Sequence, residues 1–162
     1  MAMSRSVTAF SHLALLSLLA LAAAPSLAQG RFTVSADGAE VHDATTQLTW
    51  RRCVEGMHWD GKGCTGKATR FSYASAKKAA AGAHPWRVPA REELRGLVDR
   101  TARKKPRIDR EAFPNTPSLP TWASRAGTDD NLNAWLVSFS SGKVQGNTGQ
   151  AKFPLRLVRS SP

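Results

Sequence analysis

An apolar segment near the N-terminus determines which part of this chain has to fold. Twelve uncharged residues, Leu13–Ala24, follow a short start that carries one charge, Arg5, and they lead to a small-x-small exit at Ser26–Ala28. A membrane anchor is the weaker interpretation, because a span needs about 20 apolar residues. The sequence therefore predicts a signal peptide over residues 1–28 and one exported domain over residues 29–162, periplasmic or secreted and without a transmembrane segment after cleavage.

Export gives a meaning to the two cysteines of the chain. Cys53 and Cys64 are the only pair, so one disulfide is the only intramolecular connectivity, and an oxidising compartment favours it. Two free thiols or half of a metal site are the alternatives. The four-ligand spacing of structural zinc is missing, since only His58 lies between the cysteines. We expect a disulfide that pins the glycine-rich loop of residues 53–67.

Strand patterns lie at both ends of the expected domain. Glu40–His42 and Leu48–Trp50 flank a polar turn and predict a hairpin. Towards the C-terminus, Thr121–Ala123 is typical of a short strand. Apolar residues alternate over Trp135–Phe139 and again over Phe153–Leu157, and this alternation predicts two more strands with one buried face each.

Two helices are predicted between these strands. Ser72 can cap a helix that ends near Ala81, and a second helix carries Leu94, Leu97 and Val98 at the spacing of one buried face. A hairpin, two helices and further strands predict an α+β fold class, with both helices packed on short antiparallel strands. We expect the core to contain Trp86, Leu94, Leu97, Trp122, Trp135, Val137, Phe139, Leu155 and Leu157.

No sequence pattern typical of an enzyme or a metalloprotein stands out. The chain has neither a G-x-S-x-G nor an H-E-x-x-H motif. Asp129–Asn131 offers three oxygen-bearing side chains, fewer than the six to eight oxygens that calcium takes. Trp59, inside the disulfide loop, is the best candidate for an exposed tryptophan that stacks on a sugar. We therefore expect no catalytic residue, no cofactor and no metal.

A basic segment is the most pronounced charged feature. Residues 100–110 hold six basic side chains and one acid, in a chain of formal net charge +11. The six are Arg100, Arg103, Lys104, Lys105, Arg107 and Arg110. Sulfates, phosphates and carboxylates along a polymer are bound by several cations presented together. The segment predicts a surface for a polyanion such as an acidic polysaccharide, not for a specific nucleic acid. The alternative is a solvated loop that binds nothing.

Several short motifs occur together in an order that resembles the Lcl C-terminal domain family, a bacterial family named after a collagen-like adhesin. The resemblance spans about Val34 to Arg159. Its most specific parts are the W-R-x-P-x-x-E-E-L stretch from Trp86 and the F-P-N-T-P stretch from Phe113. The motifs are Thr46–Cys53, Trp59–Gly61, Cys64–Gly66, Trp86–Pro89, Glu92–Leu94, Phe113–Pro117, Thr121–Ser124, Ala134–Trp135 and Val158–Arg159.

The resemblance implies a C-type-lectin-like fold, and an adhesin-like domain of the kind that binds glycosaminoglycans. Ala90 stands where relatives commonly carry a helix-capping side chain, and Leu157 stands where many carry cysteine. The leading hypothesis is an exported, non-enzymatic binding domain that recognises acidic glycans or other polyanions. The alternative is an envelope structural or protein-interaction module without glycan binding. The sequence predicts no oligomeric state.

Overall fold

A computed structural model describes residues 30–124 and 134–161 of the chain. The expected signal peptide over residues 1–28 and the acidic stretch Asp129–Asn131 lie outside the described residues. Within them the chain forms nine short strands and two helices. In chain order the elements are β1 (Phe32–Val34), β2 (Glu40–Asp43), β3 (Leu48–Arg51), β4 (Met57–Trp59), β5 (Cys64–Gly66), α1 (Tyr73–Gly82), α2 (Arg91–Gly96), β6 (Pro120–Ser124), β7 (Ala134–Ser138), β8 (Val144–Gly146) and β9 (Val158–Ser160).

The strands form three antiparallel sheets. The first has the order β1-β2-β3-β9, the second is the hairpin β4-β5, and the third has the order β6-β7-β8. In the first sheet Trp50 lies opposite Val41 of β2 and Val158 of β9. Strands from the two ends of the described chain therefore lie side by side. The predicted hairpin between Glu40–His42 and Leu48–Trp50 is confirmed.

The third sheet is buried on both of its faces. Ala123 and Val137 belong to one apolar cluster together with Trp50 of the first sheet. Trp122 and Leu136 belong to a second cluster together with helix α1. The alternation over Trp135–Phe139 predicts one buried face, but β7 buries the consecutive residues Leu136 and Val137. Strands that are covered on both faces show this pattern. Since each large apolar side chain contributes about 1.5–3 kcal/mol when buried, both faces stabilise the fold.

The predicted core is confirmed for seven of its nine residues. Trp86 and Trp135 differ, because they are half-buried and pack at the margins of the two clusters. Both indoles also lie against arginine side chains, with guanidinium carbons 5.0 Å from the Trp86 ring centre and 4.5 Å from that of Trp135. Their positions favour contact with charge at the surface more than enclosure in the core.

The two helices differ in length and in their N-terminal caps. The Ser72 hydroxyl accepts a hydrogen bond from the Ser75 amide at 3.3 Å, and the predicted first helix is confirmed to within one residue. Helix α2 has only six residues. At its start the Glu93 carboxylate accepts a hydrogen bond from the Ala90 amide at 2.7 Å. This bond satisfies one N–H group at the start of α2, where Ala90 has no capping side chain.

The predicted α+β, C-type-lectin-like fold class, with two helices packed on short antiparallel strands, is wrong. The regular secondary structure of the described residues is mostly β, in three sheets, with two short helices. Helix α2 ends at Gly96, so Leu97 and Val98 follow the helix instead of extending its apolar face. Leu97 nevertheless reaches the core. Three apolar residues at helical spacing are too few to distinguish a long helix from one turn followed by a bend.

The C-terminal segment also departs from its predicted alternation. The β9 strand covers only Val158–Ser160, and residues 154–158 are buried one after another. Arg156, in the middle of this run, has no exposed surface. Its guanidinium donates to the backbone carbonyl of Arg51 at 2.7 Å and also to that of Arg52. An inward arginine can interrupt the polar-apolar pattern because these buried acceptors bind its terminal guanidinium nitrogens.

The disulfide loop is joined to this buried arginine through the F-P-N-T-P stretch. The predicted bond between Cys53 and Cys64 is confirmed, with 5.5 Å between the two Cα atoms. The Asn115 side-chain oxygen accepts a hydrogen bond from the Cys64 amide at 3.1 Å. The neighbouring Thr116 hydroxyl accepts one from Arg156 at 2.8 Å. One of the most specific motifs of the resemblance therefore supports the fold.

Candidate functional site

The predicted basic segment forms an irregular loop between α2 and β6. We call residues 100–110 the basic loop. They contain bends and turns without helix or strand. Five of the six basic side chains are exposed and Arg107 is half-buried. The segment is therefore irregular and mostly exposed, whereas ligand binding by these residues stays a prediction.

Backbone contacts on both sides hold the basic loop against the core. Ile108 is buried in the first apolar cluster. The Arg107 amide donates to the Phe139 carbonyl at 2.7 Å, and the Arg107 carbonyl accepts from the Asp99 amide at 3.0 Å. The Thr101 hydroxyl and amide donate to the Asp99 carboxylate at 2.7 and 2.8 Å, and these bonds lower the pKa of Asp99. The Asp99 carboxylate therefore stabilises the turn that leads into the basic loop.

The cations of the basic loop differ from most other arginines in their partners. Within residues 30–124 and 134–161, no carboxylate oxygen lies within 4.0 Å of a side-chain nitrogen of the six. Arg110 instead donates to the Lys105 carbonyl, which brings these two residues together. Five arginines elsewhere do form ion pairs: Arg31 with Asp43, Arg51 with Glu55, Arg87 with Glu93, Arg91 with Glu92 and Arg159 with Glu40.

A groove of about 840 Å³ lies beside the basic loop, and Arg100 lines it. Arg31 lines the same groove, but so do Asp109 and Glu111. Its charges are therefore mixed, and it favours neither anions nor cations. The cations that can present positive charge without a nearby acid lie further along the loop, at Arg103, Lys104 and Lys105.

A second cleft, which we call the tryptophan cleft, is assembled from separate parts of the chain. Its volume is about 590 Å³, and it lies where the β1–β2 turn, the end of β3 and the β4-β5 hairpin meet Trp86. Side chains that could contact a ligand there are Asp37, Glu40, Glu55, His58, Trp59 and Trp86. Trp59 is half-buried, so the expectation of an accessible indole is confirmed only in part.

Arginine side chains position both indoles of the tryptophan cleft. The guanidinium carbon of Arg52 lies 3.7 Å from the Trp59 ring centre. Those of Arg51 and Arg159 lie 5.0 and 5.2 Å from the Trp86 ring centre. Arg52 also donates to the carbonyls of Gly38, Glu111 and Ala112 at 3.3, 2.9 and 3.1 Å. Burial lowers the pKa of Arg52.

Sequence reasoning missed these arginines. Arg51 and Arg52 precede Cys53 in one of the motifs of the resemblance, but no spacing rule indicates that they contact tryptophans 7 and 35 residues away. Arg156 gave a misleading signal, because it occupies a polar position in an alternating pattern. The sequence feature that could have indicated Arg51 and Arg52 was the Thr46–Cys53 motif of the resemblance, which contains both residues. The motif does not say which side chains they contact.

Neither a metal centre nor a membrane span is found in the part of the chain that the structure describes. There, no group of three or more His, Cys, Asp or Glu side chains is placed to hold a metal ion. No described helix has the length and apolar character needed to cross a bilayer.

Comparison with known proteins assigns the chain to a family. The model of the Lcl C-terminal domain matches residues 39–159, which is most of the chain. The protein therefore belongs to the Lcl C-terminal domain family, as the sequence motifs predicted. No curated protein matches it. No solved structure matches it either, so no match supports the lectin-like fold that the resemblance implied.

Proposed function

We propose that this protein is an exported, non-enzymatic, adhesin-like binding domain whose basic loop recognises acidic glycans or similar polyanions. One observation carries the proposal. The six cations of the loop have no carboxylate partner among the described residues, whereas five arginines elsewhere are paired. Membership of a family named after a collagen-like adhesin supports the same class of function.

Charge density explains why such a loop would prefer a polymer to a single anion. An exposed ion pair contributes at most about 1 kcal/mol, because water and salt screen it. A single sulfate or carboxylate would therefore bind weakly. A chain of anions can contact several loop cations at once, and four such contacts change affinity by about a hundredfold. Backbone hydrogen bonds and the buried Ile108 hold the main chain of the loop in place. The basic side chains therefore extend from a fixed backbone.

Heparin chromatography with a salt gradient tests the proposal. The variant replaces four exposed loop cations with serine, at Arg100, Arg103, Lys104 and Lys105. We expect elution at clearly lower salt and about a hundredfold weaker binding in solution. The matched control removes four exposed lysines elsewhere, Lys62, Lys67, Lys77 and Lys78, and should change binding much less.

Two results would contradict the proposal. Equal losses in the two variants would mean that net charge acts without a site. Absence of salt-dependent retention of the unmodified protein on heparin, dextran sulfate and polyphosphate would end the polyanion hypothesis. The remaining hypothesis would then be a structural or protein-interaction module of the envelope.

A further inference from the structure

The tryptophan cleft has a chemistry that the basic loop lacks. We propose that it is a second binding site, specific for a neutral saccharide, with the indoles of Trp59 and Trp86 against the sugar ring and the carboxylates of Asp37, Glu40 and Glu55 as acceptors for its hydroxyl groups. The proposal does not depend on polyanion binding by the basic loop.

The dimensions and construction of the cleft suit a small ligand. Its volume of about 590 Å³ falls within the range of about 300–1,000 Å³ that small-molecule sites occupy. The Trp59 wall is held in place before any ligand arrives. Gly38 has a φ of +72°, and a Cβ atom there would lie 2.3 Å from the Trp59 indole nitrogen. Only glycine permits this close approach, while Arg52 packs on the same ring at 3.7 Å.

Anionic ligands are disfavoured by the carboxylates of the cleft. Asp37, Glu40 and Glu55 line it, against one arginine, Arg51, that lines it as well. Asp37 accepts hydrogen bonds from the Ser35 hydroxyl at 2.5 Å and from the Ala39 amide at 3.0 Å. These bonds lower the pKa of Asp37, so its carboxylate is ionised at neutral pH. A sulfate or phosphate group would be repelled by Asp37 and would have to compete with Glu40 and Glu55 for their arginine partners, Arg159 and Arg51.

Cationic ligands are disfavoured by the arginines that already lie against the indoles. A cation binds an indole through the negative face of its π-system. Arg52 already makes this contact with Trp59, and Arg51 and Arg159 already make it with Trp86. A second cation would be repelled by these guanidinium groups at short range.

A neutral sugar ring avoids both kinds of repulsion. Its C–H surface can pack, beside the guanidinium groups, on the indole carbon that lines the cleft, and it adds no charge there. Each sugar hydroxyl can donate to a carboxylate. Glu40 is 2.7 Å from Arg159 and Glu55 is 4.0 Å from Arg51. Each carboxylate still has lone pairs for a ligand, because an ionised carboxylate offers about four acceptor positions.

Nuclear magnetic resonance of the indole N–H groups in the ¹⁵N-labelled full chain tests the proposal. The probes are neutral trisaccharides of glucose, mannose, galactose and N-acetylglucosamine, the de-N-acetylated glucosamine trimer as a cation, and a heparin tetrasaccharide as an anion. We expect one or more neutral trisaccharides to shift the resonances of Trp59 and Trp86 but not that of Trp135. Binding of a neutral trisaccharide should not weaken when the salt concentration rises, because the ligand forms no ion pair with the protein.

Variants locate the site and guard against misfolding. Trp59→Leu should weaken binding at least about tenfold, as loss of an aromatic contact does. Trp135→Leu is the matched control and should change it less than about twofold, because Trp135 is also half-buried against an arginine but lies in the third sheet. Glu55→Gln removes one charge with little change in shape and should weaken binding about threefold. Heparin retention should be unchanged in all three.

Three outcomes would overturn the proposal. The first is that no neutral trisaccharide shifts Trp59 or Trp86. The second is tighter binding of the cationic trimer than of its neutral N-acetylated counterpart. The third is that the heparin tetrasaccharide shifts the same two resonances, which would make the cleft part of a polyanion surface.

Discussion

The basic loop and the tryptophan cleft both owe their character to arginine, but the guanidinium groups contact different things. In the loop, Arg100, Arg103 and Arg110 are exposed and have no carboxylate partner among the described residues. Next to the cleft, Arg52 is buried against the Trp59 ring, and the fully buried Arg156 donates to the Arg52 carbonyl. The same residue type therefore presents charge in one region and fixes shape in the other.

The difference shows that net charge does not by itself identify a binding surface. A chain of formal charge +11 contains a cleft with three carboxylates in its lining. A buried cation costs desolvation free energy and is retained only where acceptors surround it. An exposed cation costs little and stays available to an external anion. Mutations should therefore separate the regions, with large effects on stability near the cleft and small ones in the loop.

Replacement of Arg156 should have the largest effect on stability. Arg156→Met leaves the carbonyls of Arg51 and Arg52 and the Thr116 hydroxyl without their donor. Each unsatisfied buried group costs about 1–3 kcal/mol, and relief of the buried charge offsets part of the sum. We expect the free energy of unfolding to fall by about 4 kcal/mol, measured by chemical denaturation.

The control for Arg156 is an arginine of the basic loop. Arg103→Ser should change the free energy of unfolding by no more than about 0.5 kcal/mol, as exposed substitutions usually do. Burial lowers the pKa of Arg156 to about 9, so its guanidinium is protonated at neutral pH and can donate to all three acceptors. If Arg156→Met were as stable as the unmodified protein, the contrast between shape-fixing and exposed arginines would be wrong.

Removal of the disulfide should have the next largest effect, and it should fall on one region only. The bond joins residues 11 apart, and a loop of that length stabilises by about 3 kcal/mol in the chain-entropy model. The Cys53→Ala/Cys64→Ala variant should lose about that much free energy of unfolding. Its Trp59 indole resonance should shift, because β4 lies inside the closed loop. Heparin retention should not change, and a parallel loss of retention would mean that the two regions are one unit.

The basic loop could be predicted from the sequence because its residues are contiguous. Six cations in eleven residues are visible without any knowledge of the fold, and the prolines near them indicate an irregular segment. The disulfide and the β2-β3 hairpin could also be predicted, because each is formed by residues that are close together in the sequence. The tryptophan cleft was not predictable, because it joins Asp37, Glu55, Trp59 and Trp86 through pairings between distant parts of the chain.

The prediction of the fold class was wrong for a related physical reason. Periodicity reports which positions face the interior only when an element buries one side. The third sheet is covered on both faces, so Leu136 and Val137 are both buried. Helix α2 ends after six residues, and Leu97 reaches the core from beyond it. Family motifs identified the family correctly but carried a fold expectation that these elements do not meet.

The ion pair of Arg31 with Asp43 offers the smallest predicted effect and a test by pH. Arg31 donates to both carboxylate oxygens of the buried Asp43, at 2.9 and 2.6 Å. Burial alone would raise the pKa of Asp43, but bonds from Arg31 and Thr46 outweigh it and lower the pKa. The stabilisation is therefore complete above the unfolded pKa of about 3.9 and is lost as pH falls through the lower folded value.

The variant Asp43→Asn should lose about 2 kcal/mol of the free energy of unfolding at neutral pH, because an amide accepts through one oxygen only. The difference from the unmodified protein should shrink below pH of about 4, where the aspartate of the unfolded chain becomes protonated. Denaturation at a series of pH values measures it. In the basic loop, Asp109→Asn keeps an oxygen for the amides of Glu111 and Ala112 and should cost no more than about 0.5 kcal/mol at neutral pH. A difference at Asp43 that stayed constant down to acid pH would show that packing, and not the paired arginine, accounts for it.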